Sequence, residues 1–200
     1  KNVDYTFDLN EFFATKEDGK FIHEQDVKKW LDTLTHNEKY PFSTPELRNE
    51  LKHTFWILNR VASAKALKAL LDHHPVFENY ETILAAGDGK SDADDFVANE
   101  NSFNKVCEAI KTYDKTITLS VGQLTTGVTI PEWTAVMMLS NMKSPAFYMQ
   151  AAFRAQNPHD WSEPSDGDGT RYQKQNAYVF DFSPERTLII FDEFANNLST

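Results

Sequence analysis

Hydrophobic positions along this chain follow two patterns, and the change between them falls near residue 50. In the first part aromatic residues are scattered among charges, at Tyr5, Phe7, Phe12, Phe13, Phe21 and Trp30. Val27, Trp30, Leu31 and Leu34 stand at the i, i+3, i+4, i+7 spacing of one helical face, which predicts a short helix over 26–34. Tyr40-Pro41-Phe42-Ser43-Thr44-Pro45 then interrupts the periodicity, since proline lacks an amide donor and has a fixed φ. Residues 1–48 therefore read as an accessory or connecting segment, partly helical.

From residue 53 onward, continuous apolar runs alternate with helical spacing. The runs cover 54–58, 82–86, 116–121, 135–139 and 177–182, and the helices 64–71, 103–113, 145–156 and a closing stretch from Pro184. A run that is apolar at every position has both faces buried, as in a parallel sheet covered by helices on each side. Residues 49–200 are thus expected to form one α/β domain, a parallel sheet of about five strands with helices on both faces. Ligands of such sheets bind beyond the carboxyl ends of the strands, so the loops after Leu58, Ala86, Val121 and Leu139 are where chemistry is expected.

Composition narrows the field further. Among the 200 residues, 30 Asp and Glu oppose 20 Lys and Arg, for a formal charge of -10. That excludes a uniformly basic coat for nucleic acid but leaves room for a local groove. No apolar run approaches the roughly 20 residues of a membrane helix, and no membrane partner is expected. The one cysteine, Cys107, has no internal disulfide partner, which points to a reducing cytoplasm. None of the histidines has metal-ligand spacing, and no metal site is predicted. The chain opens on Lys1 with neither an initiator Met nor a signal-peptide order, and reads as a piece of a longer protein.

Two stretches imitate a nucleotide site. Gly87-Asp88-Gly89-Lys90-Ser91 ends as a phosphate-binding loop does, but the motif's first glycine would fall at Leu84, inside a strand. Asp92, Asp94 and Asp95 follow, placing negative charge where phosphates would sit, so the stretch reads as a polar loop. Leu188-Ile189-Ile190-Phe191-Asp192-Glu193 resembles an apolar strand ending in a magnesium-binding Asp-Glu pair. Ser183 as N-cap, Pro184 at the first helical position and Glu185 near the dipole's positive end predict a helix instead.

The most distinctive stretch runs from Leu119 to Pro158. It contains Thr125-Thr126-Gly127 leading to Ile130-Pro131, a strand, Lys143-Ser144-Pro145, and then Gln150 with Arg154 one turn later. In this order it resembles the second RecA-like lobe of superfamily-two DNA helicases and translocases, above all the helicase subunits of type I and type III restriction enzymes. Thr125 through Pro131 is similar to motif V, Gln150 with Arg154 to motif VI, and Phe55 to Arg60 to motif IV, so the likeness covers residues 53–200.

The resemblance implies a set of roles. Arg154 would reach across a cleft and stabilise charge on the transferring γ-phosphoryl group, where a planar, permanently charged fork is effective. Gln150, on the same helical face, would orient the nucleotide or the arginine. Gly127 and Thr129 would lie on the nucleotide side. Asn59, Arg60, Thr125, Thr126, Lys143 and Ser144 would donate to nucleic-acid phosphates, which position a strand without reading it. ATP and Mg²⁺ would serve the intact protein, with Mg²⁺ held by a first lobe outside this chain, so this fragment alone is expected to bind no cofactor and to be inactive. The implied partners are DNA, an N-terminal RecA-like lobe of the same polypeptide, and nuclease or methyltransferase modules.

The chain departs from the family pattern at three positions. Phe153 stands where motif VI has glycine, Asn157 where it has a second arginine, and Thr129 where relatives have an acidic residue that contacts the ribose. These departures favour an alternative, a non-catalytic α/β binding or scaffold module derived from such a lobe.

Overall fold

The computed structural model describes residues 8–37, 40–85, 92–121, 130–141, 160–161, 172–173 and 177–182. The order is α1 (Leu9–Phe12), α2 (Glu24–His36), α3 (Pro45–Glu50), β1 (His53–Ile57), α4 (Val61–Asp72), β2 (Glu81–Ala85), α5 (Asp92–Thr112), β3 (Thr116–Ser120), β4 (Ala135–Met138), β5 (Asp160–Trp161), β6 (Tyr172–Gln173) and β7 (Tyr178–Asp181). Five of the strands form one sheet in the order β2-β3-β1-β4-β7. Every pairing in that sheet is parallel. With helices on both faces, this is a three-layer α/β architecture around a parallel five-stranded sheet, as the apolar runs imply.

Alternate residues of each strand serve different layers. On one face Trp56, Ile117, Leu119, Ala135, Met137 and Phe180 pack with Leu67 and Leu71 of α4. On the other, Phe55, Ile57, Ile83, Val136, Met138 and Val179 pack with Val106 and Ala109 of α5. Here the Phe55 and Trp133 rings stack with centroids 4.4 Å apart. A helix layer on each side explains why the strands are buried at nearly every position, including the hydroxyl residues Thr116, Thr118 and Ser120 of β3.

Residues 8–51 contribute to the first face. Leu9, Phe13, Phe21, Val27, Leu31, Leu34, Phe42 and Leu51 are buried in the same cluster as Trp56 and Phe180. Trp30, from the helix predicted over 26–34, meets Trp56 at 6.1 Å and Phe182 at 5.4 Å, both edge-on. Such edge contacts are worth about 0.5–1.5 kcal/mol each beyond their area burial. The buried His74 ties α2 to the turn after α4. Its Nδ1 accepts from the Val76 amide at 3.1 Å, so the ring proton sits on Nε2, 3.0 Å from Asp32 Oδ1.

Some elements differ from the sequence expectations. Pro45 opens α3 instead of only breaking a pattern, because Thr44 accepts from the Leu47 amide at 3.2 Å as its N-cap and proline suits the first helical position. Helix α5 begins at Asp92, well before the expected 103, over an acidic stretch suited to the positive end of a helix dipole. The antiparallel pair of β5 and β6 has no long apolar run to signal it. The helices expected over 145–156 and from Pro184, and the Gly87 to Ser91 loop, lie outside the described residues.

Candidate nucleic-acid interface

The carboxyl edge of the sheet is built around its central strand. β1 pairs on past Ile57: the Leu58 amide donates to the Ser120 carbonyl at 2.9 Å, and the Leu139 amide donates to the Ile57 carbonyl at 2.9 Å. Immediately beyond, the chain leaves the sheet with Asn59 and Arg60, both exposed. Arg60 is extended, at φ -137° and ψ 148°, and is the N-cap of α4 without a side-chain capping bond. Among the described residues no ion pair engages its guanidinium.

This position is set by topology. The connection from β1 runs through α4 to β2 at one edge of the sheet, whereas β4, its neighbour, precedes β7 at the other edge. Adjacent strands whose connections diverge open a crevice at their carboxyl ends, which is where such sheets bind ligands. Asn59 and Arg60 are on the β1 side of that crevice. On the β4 side is Asn141, two residues before the predicted contacts Lys143 and Ser144.

Asn141 is held by α1. The Leu9 amide donates to Asn141 Oδ1 at 3.2 Å, and the Asn141 amide donates to Asn10 Oδ1 at 3.1 Å. Asn141 Nδ2 also donates to Asp8 Oδ1, the atom that caps α1 by accepting from the Asn10 and Glu11 amides. Sequence reasoning missed Asp8, Asn10 and Asn141. An Asp before a short helix is a capping signal, but its pairing with a residue so distant in sequence is a product of the fold.

Of the predicted site residues, Asn59 and Arg60 stand together at the crevice. Thr125, Thr126, Gly127, Thr129, Lys143, Ser144, Gln150 and Arg154 lie outside the described residues. A carboxamide both donates and accepts, a guanidinium only donates, and the guanidinium's planar fork suits phosphate oxygens. This donor set fits an anionic backbone. No described group of three or more His, Cys, Asp and Glu is arranged to hold a metal ion. No described helix is long and apolar enough to cross a membrane.

The groups with displaced titration are elsewhere. Burial pushes the Tyr80 phenol up, with the Arg48 cation opposing and Asp114 reinforcing. Burial also raises the Cys107 thiol on α5, with the Glu132 carboxylate adding to it and Lys111 opposing. A raised thiol pKa means less thiolate, so Cys107 is poorly suited as a nucleophile.

The fold and its edge thus define a three-layer α/β lobe with an exposed donor pair at its topological crevice. Over 196 residues the chain is 30% identical to a protein of Mycoplasma pneumoniae that carries the name of a type II restriction enzyme and methyltransferase C-terminus. The match covers 94% of this chain but 26% of that relative, so the chain spans about a quarter of its length. Among solved structures, the C-terminal part of the Fun30 ATPase domain overlaps 66% of this chain and 35% of its own, at 16% identity and a TM-score of 0.38. No family model matches the chain.

Proposed function

We propose that this chain is the second motor lobe of an ATP-dependent DNA helicase or translocase in a restriction system. The observation that carries the reading is the placement of Asn59 and Arg60, the residues similar to motif IV, at the crevice beside the central strand. The 30% identity to a protein named for restriction and methylation supports the restriction setting. The order of motifs V and VI in the sequence supports the motor assignment.

In this reading the lobe works against a first lobe that holds ATP and Mg²⁺. The nucleotide supplies the free energy of phosphoryl transfer when bound between the lobes. Arg154 neutralises negative charge on the γ-phosphoryl oxygens, and Gln150 orients that arginine or the nucleotide. Gly127 and Thr129 approach the nucleotide side. Asn59 and Arg60, with Thr125, Thr126, Lys143 and Ser144, hold the phosphates of one DNA strand. Such contacts carry no sequence information, which suits a motor that moves along any sequence. The net charge of -10 confines binding to this groove by making the rest of the surface unattractive to DNA.

The test is ATP turnover in the polypeptide that carries both lobes. Arg154→Ala is expected to lower DNA-stimulated ATP hydrolysis by about 10³-fold or more, the usual effect of losing an arginine on the transferring phosphoryl group. ATP binding and the folded state should be retained. Unchanged turnover would favour the alternative supported by Asn157 and Thr129, a binding or scaffold module without a motor role.

A further inference from the structure

We propose that α1 is a positioning brace for the phosphate-binding crevice, with Asp8 and Asn141 as its working pair; this rests on the DNA-contacting role of that crevice argued above. The helix joins both walls. At its amino end, Asp8, Leu9 and Asn10 hold Asn141 at the end of β4 through three hydrogen bonds. At its carboxyl end, the carbonyl of Phe13, the C-cap, accepts from the Ser63 hydroxyl in the first turn of α4. Ser63 is three residues after Arg60, and Asn141 two before Lys143. The same four-residue helix therefore ties the turn that presents Asn59 and Arg60 to Asn141 at the end of β4.

The energetics favour this role over simple packing. Leu9 and Phe13 anchor the brace in the core at 2% exposure each. Asp8, by contrast, is exposed and makes bonds that add little to folding, since an exposed hydrogen bond competes with water. Its contribution is geometric. A phosphate clamp has to hold its donors to within a fraction of an ångström, and the second layer of hydrogen bonds provides that. Asp8 and Asn141 touch no phosphate themselves.

The pair is specific in its chemistry. Asp8 Oδ1 accepts from two α1 amides and from the Asn141 amide group, while Asn141 Oδ1 accepts from Leu9. Exchanging the two residues would break this pattern, because the atom at the Asp8 Oδ1 position would have to accept from the α1 amides and donate to residue 141 at once. Asn141→Asp by itself faces one carboxylate with another.

The test measures binding of a fluorescein-labelled DNA duplex of mixed sequence to the 200-residue chain by anisotropy, alongside thermal unfolding. Asn141→Ala and Asn141→Asp are each expected to weaken binding by about fivefold or more, while the chain still unfolds cooperatively. In an Arg60→Ala background, Asn141→Ala is expected to cost less than about twofold, because residues that act through one another are not additive. The brace is overturned if Asn141→Ala leaves affinity unchanged or if its cost is the same with and without Arg60. If Arg60→Ala binds as the native chain does, the crevice itself is not the interface. That result overturns the DNA-contacting role and the brace together, whereas the other two leave the crevice standing.

Discussion

The two ends of the parallel sheet are built from similar residues and are finished in opposite ways. At the amino end polar side chains are turned on one another. Lys52 pairs with Asp114 at 3.2 Å, His53 Nδ1 lies 2.9 Å from Thr116 Oγ1, and Tyr178 donates to Glu50. Backbone bonds prolong the ladders there too, with the Thr116 amide 2.8 Å from the Lys52 carbonyl and the Thr134 amide 2.9 Å from that of His53. At the carboxyl end Asn59 and Arg60 are exposed beyond the ladder, and among the described residues Asn141 bonds to α1. Among the described residues, then, the amino end is closed by bonds within the fold, while Asn59 and Arg60 at the carboxyl end are left exposed.

The largest effect that probes this comparison is on the scaffold shared by both ends. Trp56 is fully buried at the middle of β1, with its indole N–H donating to Thr54 Oγ1 at 2.8 Å. Trp56→Ala should destabilise the lobe by about 3–5 kcal/mol, read from chemical unfolding, since a large cavity opens against Trp30, Phe42 and Phe77. A loss below about 1 kcal/mol would mean the central strand does not couple the layers as described.

A smaller effect separates the two ends directly. Arg60→Ala should weaken DNA binding by about fivefold and flatten the salt dependence by roughly one phosphate contact, without altering stability. Lys52→Ala at the closed end should leave DNA affinity unchanged and cost at most about 1 kcal/mol of stability, as expected for a pair with one well-exposed partner. Equal losses of affinity in both variants would erase the distinction.

The smallest effect is at Tyr80, just before β2. Its hydroxyl is buried without a hydrogen-bond partner among the described residues, and burial raises its pKa above the ordinary value of 10.0. A folded-state pKa above the unfolded one favours the folded form at every pH where the phenol is neutral in both states. That contribution is lost as pH rises past about 10, because only the unfolded chain then ionises readily. Tyr80→Phe should therefore be within about 0.5 kcal/mol of the native chain at neutral pH and should lose less stability above pH 10. An unchanged alkaline unfolding profile would contradict this.

The sheet was legible because burial on both faces leaves mostly apolar residues and small hydroxyl ones such as Thr54 and Thr118 in the strands, and a run such as Ala135 to Leu139 fits few elements besides a strand covered on each side. The helix around Trp30 was legible from spacing. Its destination was not: nothing in the order of residues shows that Trp30 meets Trp56 and Phe182, contacts set by how the layers stack. At the candidate site, Asn59 and Arg60 could be found because they directly follow an apolar run. Asn141 and Asp8 could not, since each looks like an ordinary loop residue and their pairing exists only after β4 is placed beside β1. Thr44-Pro45-Glu46 is a different kind of miss. The helix-start chemistry is written there, but a stretch with two prolines reads first as an interruption.

The open carboxyl end is tested most directly by amide hydrogen exchange of this chain with and without a DNA duplex. Slowed exchange is expected at 58–64 and 139–141, around the carboxyl end of the sheet, with no change at 50–53 and 114–116. Protection of the amino end instead, with 58–64 unaffected, would contradict the assignment of the interface to the crevice.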